Sequence, residues 1–405
     1  MAAENVTPAA MVVPVEGEPF IARLVSADGA GQVVFQTEGE GGAPTASTVP
    51  KLATDDLVRW GNPVAVASQP MVLLADGSRI VAAADWSGGA AVRIDGDAVV
   101  VRTDDWGDVR LPRSSVRGLV FAQRSSLTDR QRLEYLVRSA DAGQDQVLLA
   151  NQDRLTGAIK ELPGGSITVV TAAGDAKLPI SRVEAAILAR EKKPGVSPET
   201  QLQPPQASID VGMRDGSLLY ANRVLADEHH TALELAGGAR LIGGSAGAIA
   251  SLQSLGGRFT YLSDLDPADY RHVPYLDIKW PYMRDRNVSG NPLMVGGKQY
   301  PKGLGMHSAA RLTYKLERQF KRFAADIAID DSAGKRGSVT FGVYVLRDGK
   351  WQPAYTSEVV RGGDAPQSVS VDLAGADAMT LVVDYADRGD ELDHADWLDA
   401  RLIKN

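Results

Sequence analysis

The chain has 405 residues, 44% hydrophobic and 23% charged, with a formal net charge of −8 and no cysteine. A chain of this length and composition can bury about two to four separate cores. The missing cysteines exclude thiol nucleophiles, zinc–thiolate sites and disulfide staples. No basic block supplies the footprint of a nucleic-acid binder, and no apolar run is long enough for a membrane helix.

In chain order, residues 1–18 read as a flexible leader. Its opening, MAAENVTPAAMVVPVEG, lacks the basic and apolar regions of a signal peptide. A signal removed earlier is compatible with the secreted, periplasmic or cell-envelope location expected here. Next, FIARLVSADGAGQVVFQTEG reads as strand, turn, strand.

Residues 19–190 form a β-repeat region. MVLLADGSRIVAAADW and QVLLANQDRLTGAIKEL each open with Leu-Leu-Ala and run through a turn into a second strand. The two copies close on the same Leu-Pro-x-Ser-x-Val, at Leu111–Val116 and Leu178–Val183. A third, weaker copy, residues 209–258, starts at Ile209. Asp-Gly at 76–77 and 215–216 suits tight turns between paired strands. A single unit is too small for its own core, so neighbours should pack together as barrel- or sandwich-like bodies. One amphipathic helix is expected near 126–140, capped by Ser126 or Thr128, with Leu133, Leu136 and Val137 inward. The Pro-rich polar stretch 191–208 reads as a linker.

From residue 259 the texture changes. RLTYKL, SVTFGVYVL, SVSVDL and MTLVVDY are strand-like runs separated by turn clusters, the pattern of a β-sandwich. The fold class expected for the whole chain is mainly all-β.

Seven ordered motifs then carry a resemblance: YLSDL at 261–265, Arg284-Asp285-Arg286-x-x-x-Gly290, GGxxYxKGLGMHS at 296–308, and Ile-Asp-Asp at 329–331. GSVTFGVYV at 337–345, VDLAGA at 371–376 and DHADW at 393–397 complete it. Residues 259–405 resemble the NPCBM family of carbohydrate-binding modules found beside glycoside hydrolases. The resemblance implies a jelly-roll-like β-sandwich that binds a glycan without catalysis. The repeats look only loosely like segments seen ahead of this module in planctomycete-type proteins.

Candidate sugar-binding residues are His307, Asp331, Asp393, His394, Asp396 and Trp397, with Trp280 or Tyr282 as stacking platform. Exposed rings suit the C–H face of a sugar, and His and Asp suit its hydroxyls. Each has a structural alternative: His307 bonding nearby backbone, Asp331 capping its own turn, Trp397 pinning the core. Asp330, Asp331, Asp384 and Asp387 are candidate ligands for a calcium ion, which prefers clustered oxygens. Simple turn chemistry and an exposed acidic loop are the alternatives.

No P-loop, no HExxH and no Ser elbow at a strand-to-helix turn is read, and GGSAG at 243–247 is read as lacking the Gly-x-Ser-x-Gly spacing. The expected function is therefore a non-catalytic carbohydrate-binding protein, with the N-terminal repeats as scaffold or protein-partner surface. Two alternatives stay open: an extracellular assembly protein whose sandwich no longer binds sugar, and a glycoside-processing enzyme with an unrecognised site.

Overall fold

One pattern is used four times in the N-terminal unit, Met1–Ser254. The computed structural model describes residues 7–37, 50–62, 64, 69–83, 91–121, 127–162, 165–190, 208–275 and 277–405. Each copy has a first strand, a second that bends or breaks, two more strands, one 3-10 turn and a closing strand. In the first copy these are Ala10–Pro14, Phe20–Asp28, Gln32–Thr37, Lys51–Ala53, the turn Thr54–Asp56 and Leu57–Gly61. The closing strand always pairs antiparallel with its own first strand. Leu57–Gly61 lies on Ala10–Pro14, and Val116–Val120 on Met71–Leu74. Val183–Ile187 lies on Gln146–Leu149, and Ile249–Ser254 on Ile209–Met213.

The Leu-Pro-x-Ser-x-Val motif now has a cause. Its proline ends one strand, the next three residues make the 3-10 turn, and its valine opens the closing strand. Val116 and Val183 are both 4% exposed. Asp76 and Asp215 each accept the backbone N–H two residues on, while Gly77 and Gly216 take φ of 91° and 93°. That left-handed conformation favours glycine.

Two expectations need correction. Residues 1–18 are not simply a leader, because Ala10–Pro14 pairs on both sides and Val12 is fully buried. Three repeats become four, since the strand–turn–strand at Phe20–Thr37 belongs to a complete copy. That copy escaped notice because its turn is Thr-Asp-Asp, without the Leu-Pro-x-Ser-x-Val signature.

Copies join through their closing strands: the second with the third, the first with the fourth. The helix Leu127–Ser139 covers the second–third junction. Its Leu133 and Val137 are buried and Leu136 is partly buried, against Met71, Val120, Ala185 and Ile187. Gly118 permits this approach, since a Cβ there would lie 2.5 Å from both Ala186 O and Val137 Cγ1. Ser126, the side chain of Thr128 and the stretch 191–207 lie outside the described residues.

The C-terminal unit, Leu255–Asn405, is a sandwich of two antiparallel sheets. One sheet orders Met283–Arg284, Gly303–His307, His394–Lys404, Phe320–Ile329 and Gln367–Asp372, with Phe259–Tyr261 also on the third of these. The other orders Asp269–His272, Ala310–Lys315, Ala378–Tyr385, Ser338–Arg347 and Lys350–Thr356, with Val360–Arg361 on the fourth. Their core contains Phe323, Phe341, Tyr314 and Trp397, all drawn from this unit.

Three of the ordered motifs meet at Lys302. The Asp264 and Asp285 carboxylates accept from its Nζ at 2.5 and 2.8 Å, and the ammonium lies 5.5 Å from the Tyr261 ring centroid. A buried cation needs such partners to offset its lost hydration.

Because its core is self-contained, the fragment Leu255–Asn405 should fold alone, with an all-β circular dichroism spectrum and a cooperative melt. A fragment without a thermal transition would show that the N-terminal unit completes it. Gly118→Ala should destabilise the N-terminal unit by about 1–3 kcal/mol through overpacking, read as an earlier urea midpoint. The C-terminal melt should stay unchanged.

Candidate carbohydrate-binding site

Three of the chain's five histidines gather at one place on the sandwich. His272 ends strand Asp269–His272, His307 ends Gly303–His307, and His394 begins His394–Lys404. His307 and His394 are cross-strand neighbours with ring centroids 6.1 Å apart, and His272 lies 6.0 Å from His307. Trp280 stacks flat on His307, 4.9 Å between centroids with a 6° interplanar angle.

Hydrogen bonds fix the tautomers. Ser308 O accepts from His272 Nε2 and His307 Nδ1, both at 2.9 Å. A carbonyl only accepts, so both nitrogens carry protons. Trp280 N donates to His272 Nδ1 at 3.2 Å, so both nitrogens of His272 are engaged and the ring fastens Trp280. His394 Nδ1 bonds the Ser332 hydroxyl at 2.9 Å. The Nε2 atoms of His307 and His394 are neither hydrogen-bonded nor sealed inside among the described residues. Burial lowers the pKa of both histidines, so at neutral pH the free Nε2 of His307 is an acceptor.

The acidic loop contributes two carboxylates. Asp393 accepts from the Ser308 hydroxyl and from Ser338 N, and burial pushes its pKa up to about 6. Asp390 is half-buried, close enough to act electrostatically on His307, and makes no hydrogen bond or ion pair among the described residues. Alongside the rings, residues 270–274 and 279–281 frame an open groove of about 720 Å³ that includes His272 and Trp280.

His307, His394 and Trp280 of the expected set therefore come together, with Asp393 holding the Ser308 hydroxyl beside them. The rest do not join them. Tyr282 packs against the core and tilts onto Tyr270, centroids 5.1 Å apart, so it is no platform. Asp331 accepts from Gly296 N and Gly297 N at 2.9 and 2.7 Å and holds the turn of a hairpin. Trp397 is fully buried between Phe323 and Phe341. Asp396 is fully buried beside Asp330, which raises its pKa well above the usual range together with desolvation, the larger cause.

The calcium candidates are likewise dispersed. Asp330 accepts from Asn287 Nδ2, Met294 N and Ser332 N, each at 2.9 Å. Asp384 accepts from Tyr385 N, and Asp387 from Arg361. Among the described residues no three His, Asp or Glu side chains are grouped as metal ligands.

Sequence reading missed His272, Ser308 and Ser332, and left Asp390 among the outer members of an exposed acidic loop. The usable signal was scarcity: with only five histidines, three flanking strand ends of one domain invite a common site. The run GGSAG does carry Gly-x-Ser-x-Gly spacing, contrary to the sequence reading. Ser245 nevertheless leads into the 3-10 turn Ala246–Ala248 and a strand, not a helix, and is hydrogen-bonded to no histidine among the described residues.

The fold and site define a β-sandwich module with an aromatic, histidine-lined recess. Residues 258–403 match the NPCBM/NEW2 domain, and this part of the chain is an NPCBM domain. A "Putative endo-alpha-N-acetylgalactosaminidase" of Renibacterium salmoninarum is 39% identical over 114 residues, 28% of this chain and 7% of that protein. An alpha-1,3-galactosidase B of Akkermansia muciniphila is 34% identical over 119 residues, 28% of this chain and 14% of that protein. The matches thus span a small part of both curated relatives. A CBM51 module from Clostridium perfringens GH95, solved with methyl-galactose, is 25% identical and covers 36% of this chain and 99% of that one, with a TM-score of 0.31.

The Asp330–Asp396 pair has a testable sign. A carboxyl whose folded pKa is raised contributes stability below its unfolded pKa, about 4, and loses it as pH rises through the folded value. Asp396→Asn keeps nearly the same shape and cannot ionise. Its melting temperature relative to wild type should therefore climb as pH is raised from 5 to 9. Asp330→Ala should cost about 3 kcal/mol near pH 5, because buried N–H donors lose their acceptor, and less as pH rises, because the Asp330 charge that helps to raise the Asp396 pKa is gone.

Proposed function

We propose that the NPCBM domain is the non-catalytic, glycan-binding part of a secreted or envelope-associated protein. The N-terminal repeats then serve as scaffold or protein-partner surface. One observation carries the reading: a half-buried tryptophan locked flat on a histidine, with unspent acceptors at His307 and Asp390 and a free Nε2 on His394 around it. A pyranose offers an apolar C–H face for the indole and hydroxyl donors for those acceptors. Both curated relatives are named for action on galactose-configured sugars, so methyl galactoside and N-acetylgalactosamine are the first ligands to test.

An open site with few hydroxyl contacts gives affinities of about micromolar to millimolar. In calorimetric titrations, Trp280→Ala and Asp390→Asn should each weaken binding about tenfold. Asp390→Asn should leave the melt unchanged, since Asp390 holds no other group. The histidine pKa values lie below 6.5. Binding should stay level from pH 8 to about 6.5 and weaken below that, as protonation removes the Nε2 lone pair. If wild type binds nothing on a broad glycan array, the assembly reading replaces this one. If chromogenic glycosides are hydrolysed, the non-catalytic part fails.

A further inference from the structure

The groove beside the histidine recess carries a charge pattern that a neutral sugar does not use. Its lining includes Arg271, Lys279, Trp280 and His272, and holds no carboxylate. Arg271 and Lys279 are both exposed, and neither makes an ion pair or hydrogen bond among the described residues. Six arginines of the same domain are placed otherwise. Arg284, Arg311, Arg318, Arg336, Arg347 and Arg361 are each paired with an aspartate or glutamate.

The backbone sets the cations where they are. Arg271 lies in strand Asp269–His272, directly opposite Arg311, whose guanidinium turns to Asp269 instead. Lys279 immediately precedes Trp280, whose N–H is fixed to His272. The acid of the same loop, Asp277, is outside the groove lining. The chain is acidic overall, with a net charge of −8. Two uncompensated cations in one concavity therefore attract an anion specifically rather than by general charge.

From this we infer that the groove takes the acidic substituent of a glycan, a carboxylate or a sulfate ester, on a sugar linked to the one held at Trp280. The inference rests on the carbohydrate reading above and extends it from a neutral unit to an acidic oligosaccharide. Arg271 provides a planar donor fork suited to either oxyanion, and Lys279 a mobile point charge. The groove and the recess share Trp280 and His272, so adjoining sugars of one chain can occupy both.

The test uses the full chain and three probes that differ only in the acidic group: lactose, 3′-sialyllactose and 3′-sulfolactose. In 50 mM NaCl the acidic probe that fits should bind about tenfold more tightly than lactose, and the two acidic probes separate carboxylate from sulfate. Raising the salt to 500 mM should erase most of that advantage. Arg271→Gln with Lys279→Gln should abolish it and leave lactose affinity unchanged. Lactose binding as well as or better than both acidic probes overturns the inference and leaves the neutral-sugar reading standing. Preference for an acidic probe that survives the double substitution also overturns it, since the charge is then recognised elsewhere. If none of the three probes binds, this inference falls. The broad glycan array alone decides the carbohydrate reading.

Discussion

The carboxylate of Asp330 is the constraint on which the recess depends. It receives donors from Asn287, Met294 and Ser332, which lie before, within and after the segments that shape this part of the sandwich. Ser332, aligned by that carboxylate, holds the His394 ring. Asn287 Oδ1 in turn accepts from Ser289 N and Asn291 N, ordering the loop that leads to the hairpin. Asp396 lies fully buried beside it, and desolvation together with the Asp330 charge raises its pKa. A buried carboxylate with several donors is stable where an unpaired one is not. The recess therefore inherits its geometry from a group that never meets the ligand.

The N-terminal unit solves a different problem. A five-strand unit is too small to bury a core alone, so closing strands pair between copies two by two, and Leu218–Ala226 on Arg79–Val81 joins the two pairs into one sheet. The two junctions are finished differently. The second and third copies present Met71, Leu73, Val120 and Leu148 to the helix. The fourth copy carries Asp210 opposite Gln253 on its own first and closing strands. Asp210 is buried with neither oxygen hydrogen-bonded, and its pKa is pushed to about 7 by desolvation, against the pull of Arg79. At the junction with the first copy Leu252 stands opposite Trp60, both fully buried.

Much of this organisation was legible in the residues. Repeated strand–turn–strand text gave the copies, because Asp-Gly turns and the Leu-Pro-x-Ser-x-Val hinge are local chemistry. The first copy escaped because its hinge uses Thr-Asp-Asp, which folds into the same 3-10 turn without sharing a letter pattern. In the C-terminal domain the motifs marked the segments around the recess but did not separate its rim from its supports. Asp396, Trp397 and Asp331 share motifs with His394 and Asp330, yet Asp396 and Trp397 lie fully buried within the strand while His394 stands at its start, opposite His307. Asp390 and His272 belong to no motif. Only the folded chain brings their side chains to His307.

Strand His394–Lys404 pairs with Gly303–His307, Phe320–Ile329 and Phe259–Tyr261 at once. The centre of one sheet is thus the last segment of its domain to be synthesised, while its partner Phe259–Tyr261 is the first. Until that strand arrives, three others present open edges and their backbone amides have no ladder to join. The sheet therefore closes only through contacts between the two ends of the domain, which gives the domain high contact order and slow folding.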